Sequence, residues 1–251
     1  MTGDHITIAT EDGDAEAYVS TPGIGGHPGV LLYMDAIGLR PQIYAMADRI
    51  AAWGYTVLAP NVFHREGRIA DLAPQSDLRV PAHREAFVGA AMARVAALTP
   101  DLTRRDAPAY VRRLAEMSEG SRIGVHGYCM GGALSVRTAA AVPDAVASVA
   151  SFHGGRLVTD APDSPHRLVE GTDAAYLFIH ADQDPSMTKH DVEVLDSSLQ
   201  RADLDHTSRI EPGASHGFTM ADTAPYHPEA AERHFTDLRS HLARHLAGAA
   251  G

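Results

Sequence analysis

The chain has 251 residues, 45% of them hydrophobic, which suits one large domain with a sizeable core. Lysine and arginine total 21 against 32 aspartates and glutamates, a formal net charge of −11, which argues against nucleic acid or an anionic membrane surface as the main partner. A single cysteine excludes an internal disulfide and a cysteine-rich zinc site, and neither a signal-peptide pattern nor an apolar run near the ~20 residues of a membrane helix is present, so a cytoplasmic address is expected.

In chain order, HITIATEDGDAEAYVSTP predicts an opening hairpin with a glycine-containing turn. GVLLYMDA is a short, wholly apolar run and predicts a central strand. PQIYAMADRIAAWG has helical spacing and a terminal glycine, and YTVLAPNV predicts the next strand. Residues 64–81 are polar and irregular. HREAFVGAAMARVAAL and DAPAYVRRLAEM predict helices. SRIGVHGYC predicts a strand that ends in the cysteine, and MGGALSVRTAAAV a helix that opens directly after it. VASVASFHGG and AAYLFIHADQD are two further strands, TKHDVEVLDSSLQRAD a helix, TSRIEPG a last strand and HPEAAERHFTDLRSHLARHL the closing helix. Alternating strands and helices imply a mostly parallel sheet covered on both faces. No repeat or linker interrupts the chain, so residues 1–251 are expected to form one α/β domain.

The cysteine stands in GYCMGG, between a predicted strand and a predicted helix. Gly127-Tyr128-Cys129-Met130-Gly131 has the form of a nucleophile elbow, G-x-S-x-G, with cysteine in place of serine. Such a turn crowds the backbone, which is why glycines flank it, and it lifts one side chain above the sheet edge. The start of the helix directs free N–H groups and the positive dipole end at the sulfur, which favours the thiolate. The Met130 amide is then placed to bind a developing oxyanion.

A thiol nucleophile needs a base, and the base an orienting acid. In α/β-hydrolases these follow in the order nucleophile, acid, histidine. After AYLFIH, Asp182 and Asp184 compete for the acid. Asp184 is preferred because the turn must clear the strand end and the residue before Pro185 is held extended. Asp182 is then a turn-stabilising residue. His216, on the glycine-containing loop Pro212-Gly213-Ala214-Ser215-His216-Gly217-Phe218, is the candidate base. His153, in Phe152-His153-Gly154-Gly155, ends a strand at the edge where these groups should gather and is a candidate substrate contact.

GYCMGG, the Asp184-Pro185 turn and Ser215-His216-Gly217-Phe218 together resemble the dienelactone hydrolase family of α/β-hydrolases (carboxymethylenebutenolidase-like enzymes). The resemblance runs from GVLLYMDAIGL to the C-terminal helix. It implies the α/β-hydrolase fold and a Cys129–His216–Asp184 triad that opens lactones or esters through a thioester. It also implies a carboxylate after the first central strand in contact with the resting thiol. Asp35 stands there, one methylene shorter than the family's usual glutamate, and the Ala36 amide would be the second oxyanion donor. The family's prototypes are thought to hold a substrate carboxylate with two arginines, one of them four residues beyond the histidine. Met220 occupies that position, so it is expected to line the pocket, and Arg65, Arg68, Arg79 and Arg84 are the candidates for an upstream arginine.

The expected partner is a small lactone or ester, with no cofactor and no metal. The fifteen histidines are mostly scattered, and His241 and His245, four apart, are read as a solvated helix edge. The same triad would also serve a thioesterase or an acyl-transfer enzyme. A non-catalytic binding protein on this fold would need no triad.

Overall fold

The computed structural model describes residues 2–246, and over these the apolar runs become strands of one eight-stranded sheet. β1 (Thr2–Thr10) and β2 (Gly13–Thr21) are the opening hairpin, paired antiparallel from Thr2↔Thr21 to Thr10↔Gly13. Then come β3 (Pro28–Tyr33), β4 (Thr56–Pro60), β5 (Glu119–Tyr128), β6 (Val146–Phe152), β7 (Ala175–Ala181) and β8 (His206–Glu211). Their order across the sheet is β1-β2-β4-β3-β5-β6-β7-β8. β2 is antiparallel to β1 and β4, and every pair from β4 to β8 is parallel. Val30, Leu31, Leu32 and Tyr33 are all buried, as a central parallel strand covered on both faces requires.

The helices are α1 (Pro41–Ala51), α2 (Ile69–Leu72), α3 (Pro81–Ala97), α4 (Pro100–Ala115), α5 (Met130–Ala141), α6 (Pro165–Leu168), α7 (Lys189–Arg201) and α8 (Pro228–Leu246). α1 buries Ile43, Met46, Ala47 and Ile50, a stripe at helical spacing. It meets α8 through Arg49, which lies 3.9 Å from the Phe235 ring centre and pairs with Glu232, and Trp53 in the turn after it stands edge-on to Phe235 at 5.9 Å. α4 and α5 pack together on the sheet. Among the described residues no helix is long and apolar enough to cross a membrane.

Three local outcomes depart from the sequence reading. α4 begins at Pro100, six residues before the expected start at Asp106. Thr99 caps it by accepting the Leu102 N–H at 3.3 Å, and Pro100 sits where its missing N–H costs nothing. Within residues 64–81 the single turn α2 forms. His241 and His245 are half-buried on α8 with rings 4.8 Å apart, and burial pushes His241 down to about 4, so they are not a solvated edge.

From β3 the chain crosses to β4 on one side, and it later returns to β5 on the other. The loops leaving β3 and β5 therefore diverge and open a crevice at the carboxyl ends of the strands. Cys129, His153, Asp184 and His216 all lie on segments that leave this edge.

Candidate active site

Cys129 follows β5 with φ 55° and ψ −119°, and α5 starts at the next residue. A non-glycine residue there carries about 1–3 kcal/mol of backbone strain, which persists only if its surroundings enforce it. They do so by close approach. A Cβ on Gly127 would lie 2.1 Å from the Gly131 carbonyl oxygen, and one on Gly131 would lie 2.6 Å from that of Tyr33. Strand, turn and helix are thus packed backbone on backbone, and the Cys129 N–H donates to the Phe152 carbonyl at 3.2 Å. The thiol itself is half-buried. Gly131→Ala is expected to cost about 3 kcal/mol in urea denaturation, the upper end for overpacking, because the atom it meets is backbone of β3. An unchanged midpoint would contradict this packing.

After β7 the chain turns, and Asp184 is buried at the turn. Its Oδ2 accepts the Nδ1–H of His216 at 2.5 Å. Its Oδ1 accepts the Ser186 N–H at 2.8 Å and the Ser186 hydroxyl at 2.7 Å. Burial pushes the carboxyl up, but the bonds from His216 and Ser186 outweigh it and hold Asp184 below the usual carboxylate range. For His216 burial pushes down. Hydrogen bonds with Asp184 and Cys129, and their charges, outweigh that and hold it up at about 10. The ring is therefore an imidazolium at neutral pH, between a carboxylate and the sulfur. Asp182 lies elsewhere in the turn. Its Oδ2 accepts the Gly213 N–H at 3.1 Å and its own N–H donates to Ala214 O at 2.7 Å, so it braces the His216 loop.

The Met130 amide is at the first position of α5, where a helix leaves its N–H groups unpaired. Ala36 lies on the loop after β3. Asp35, expected at the thiol, is buried and instead turned to Arg40, whose Nη1 and Nη2 donate to its Oδ1 and Oδ2 at 2.7 and 3.0 Å. The shorter side chain leaves both oxygens engaged within its own loop.

His153 is 0% exposed and stands behind His216, ring centres 5.2 Å apart and edge to face. Its Nε2 shares a 2.8 Å hydrogen bond with the Thr219 hydroxyl. Burial first, then the charge of His216, push it well below its ordinary value, so it is neutral. It is enclosed rather than presented to a substrate. Met220, at 1% exposure, packs in the hydrophobic core instead of lining the crevice, because its segment turns inward after Gly217. Of the four upstream arginines, Arg65 pairs with Asp12 and Asp106, Arg68 with Glu16 and Arg79 with Asp77. Arg84 instead reaches from α3 to the His216 loop. A Cβ on Gly217 would lie 3.5 Å from its Nη2, and its buried Nε has no partner among the described residues.

The sequence reading missed Ser186, Arg40, Arg94 and Asp222. Asp184-Pro185-Ser186 has the form of a side-chain-stabilised turn, a signal that could have found Ser186. No local pattern marks the other three.

A residue raised on a strained strand-to-helix turn, at the switch point of a mostly parallel sheet, places the chain among the α/β-hydrolases. Within that class it belongs to the dienelactone hydrolase family, whose family model matches residues 15–246. A carboxymethylenebutenolidase of Rhodococcus opacus is 29% identical over 208 residues, 82% of this chain and 75% of that protein. A dienelactone hydrolase-like promiscuous phosphotriesterase from metagenomic libraries superposes with TM-score 0.74 at 20% identity, over 97% of this chain and 98% of the other. The acylaminoacyl peptidase of Pyrococcus horikoshii gives TM-score 0.67 at 15% identity, over 97% of this chain and 42% of the other. At such identities the last two likenesses are of fold alone.

Proposed function

We propose that the chain hydrolyses a small lactone or carboxylic ester by covalent catalysis at Cys129. The observation that carries this is geometric: the only cysteine of the chain stands on the strained turn at φ 55°, and His216, bonded to Asp184 at 2.5 Å, shares a side-chain hydrogen bond with it. The thiolate attacks the carbonyl carbon, and the oxyanion is met by the Ala36 and Met130 amides. As the carbon–oxygen bond breaks, the leaving alkoxide takes a proton from His216 and a thioester to Cys129 remains. Neutral His216 then takes a proton from water, the hydroxide attacks the thioester, and the thiolate leaves. Asp184 keeps Nδ1 protonated throughout, so that Nε2 faces the chemistry.

The test is an activity panel of neutral lactones, aryl esters and acyl thioesters on the wild type, with mass spectrometry of protein quenched during turnover. An acyl adduct on Cys129 supports the reading. Turnover with no such adduct, and an unmodified thiol throughout, would contradict it. A strong preference for thioesters would make the chain a thioesterase working by the same steps.

Arg84 sets the selectivity. Its guanidinium stands at the His216 loop without a carboxylate partner among the described residues, which supports its meeting an anionic group of the substrate. A charge-assisted bond of this kind is worth about 1.5–3 kcal/mol. Arg84→Gln is therefore expected to lower kcat/KM for a carboxylate-bearing lactone by about tenfold or more, and to leave a neutral lactone of similar size within about twofold. Equal losses on both substrates would remove Arg84 from substrate recognition. Met220→Leu is expected to leave both values unchanged, since that side chain is in the core.

A further inference from the structure

The loop of residues 34–40 carries the Ala36 amide, and guanidinium groups set its shape. Asp35 Oδ1 accepts the Ile37 N–H at 3.0 Å, and the Asp35 carbonyl accepts the Gly38 N–H at 3.1 Å. Arg40 Nη1 donates to the Gly38 carbonyl at 3.0 Å as well as to Asp35. Arg94, from α3, donates through Nη2 to the Ala36 and Ile37 carbonyls at 3.1 and 3.0 Å. Each carbonyl from Ala36 to Gly38 thus accepts from a guanidinium, while the Ile37 and Gly38 amides are used inside the turn. Among the amides of Ala36, Ile37 and Gly38, that of Ala36 is not used by the turn in the described residues.

The other edge of Arg40 leaves the loop. Its Nε donates to Asp222 Oδ2 at 2.6 Å and its Nη2 to Asp222 Oδ1 at 3.1 Å. Asp222 is six residues beyond His216 on a run of turns, with Phe218 N–H to Ser215 O at 3.0 Å, Met220 N–H to Gly217 O at 3.0 Å and Thr223 N–H to Met220 O at 3.0 Å. Arg40 is 2% exposed. A buried arginine between two carboxylates loses hydration that its ion pairs barely return, so stability is a weak reason for it. Geometry is a better one, because a planar fork with fixed donors sets angles as well as distance.

We propose that Arg40 is a positioning residue. It fixes the Ala36 amide as an oxyanion donor and, through Asp222, holds that donor in register with His216 across Cys129. The inference rests on the hydrolase reading above.

Two variants test it in the full chain. Asp222→Asn keeps the Arg40–Asp35 pair and loosens only the link between loops. Arg40→Lys keeps the charge and loses the fork. Removing one oxyanion donor outright costs about 10²–10³ in kcat, so loosening one is expected to cost about tenfold in Asp222→Asn and more in Arg40→Lys, with KM within about twofold. A phenyl trifluoromethyl ketone, which adds to the sulfur and places an oxyanion in the same site, should lose affinity by the same factor. Alkylation of Cys129 by iodoacetamide forms no oxyanion, so its rate should stay within about twofold of wild type. Parallel losses of kcat and alkylation would mean that the variants disturb the thiolate or the whole fold, and would overturn the proposal. So would a lowered Tm with kcat intact, or an active wild type matched by both variants. If Arg40→Lys does not fold, Asp222→Asn, whose side chain is 35% exposed, carries the test alone. A wild type silent towards every ester would instead overturn the hydrolase reading, and this inference with it.

Discussion

Cys129→Ala is expected to lower kcat for ester or lactone hydrolysis by about 10⁴-fold or more, with the fold intact. The size follows from losing the proposed covalent route at Cys129 altogether. A small residual rate should survive, because the amides of Ala36 and Met130 and the binding crevice remain. Asp184→Asn should cost about 10²–10⁴, since an amide in place of the carboxylate no longer holds Nδ1 protonated or supports the imidazolium. Asp182→Asn should cost far less, because Asp182 meets the Gly213 N–H and not the ring. The measurements are kcat and KM for the three variants, with circular dichroism to confirm folding. A Cys129→Ala enzyme at wild-type rate would end the covalent mechanism. A costlier Asp182 than Asp184 would mean that the loop brace matters more than the His216 contact.

The second large effect is acid lability. His126 and His234 are wholly buried, and burial pushes both down to about 3. Neither ring nitrogen of His126 has a partner among the described residues. His180 is buried and pushed down to about 4, and His153 lies well below its ordinary value. An unfolded histidine takes up its proton near pH 6.5, whereas these rings stay neutral in the fold. Below pH 6.5 the unfolded chain therefore binds more protons, and stability falls as pH falls. The slope approaches about 1.4 kcal/mol per pH unit for each such ring about one unit below pH 6.5. Between pH 6.5 and 5, His126 and His234 alone withdraw about 3 kcal/mol, against a typical total of about 5–15 kcal/mol.

His216 does not offset this. Its folded value of about 10 is raised, so its contribution is complete below pH 6.5 and is lost only as pH climbs towards 10. Urea denaturation at pH 7, 6 and 5 should show the midpoint falling steeply. His126→Leu should flatten the fall by about 2 kcal/mol over the last 1.5 units. A midpoint independent of pH over that range would mean that these rings are not neutral and buried.

Much of this was legible in the sequence, because it is written in short-range pattern. A wholly apolar run of strand length has to be covered on both faces, so GVLLYMDA reads as a central strand without reference to its neighbours. The elbow is equally local. Its two glycines, the cysteine between them and the helix-forming run after it lie within a few residues. The chain order of acid and histidine leaves Asp182 and Asp184 as candidates, the proline after Asp184 favours it, and the structure joins Asp184 to His216 at 2.5 Å.

The start of α4 is also written locally, in Thr99-Pro100, where the cap and the proline mark a start that the apolar spacing further on does not. What sequence by itself determined, then, is the alternating architecture and the strained turn at Cys129, with Asp184 and His216 as the candidates to face it. Tertiary structure decided which polar side chains those groups would lean on. Arg40 meets Asp222 across 182 positions, and a long guanidinium side chain carries no mark of which carboxylate it will reach until the sheet brings two loops together. His153 and Met220 show the same dependence from the other direction. Each stands at a position that suits substrate contact, yet the turns after His216 close Thr219 over His153 behind the imidazole and carry Met220 into the core. Which way a loop residue faces is fixed by what packs against it from distant parts of the chain, and short-range pattern holds no record of that.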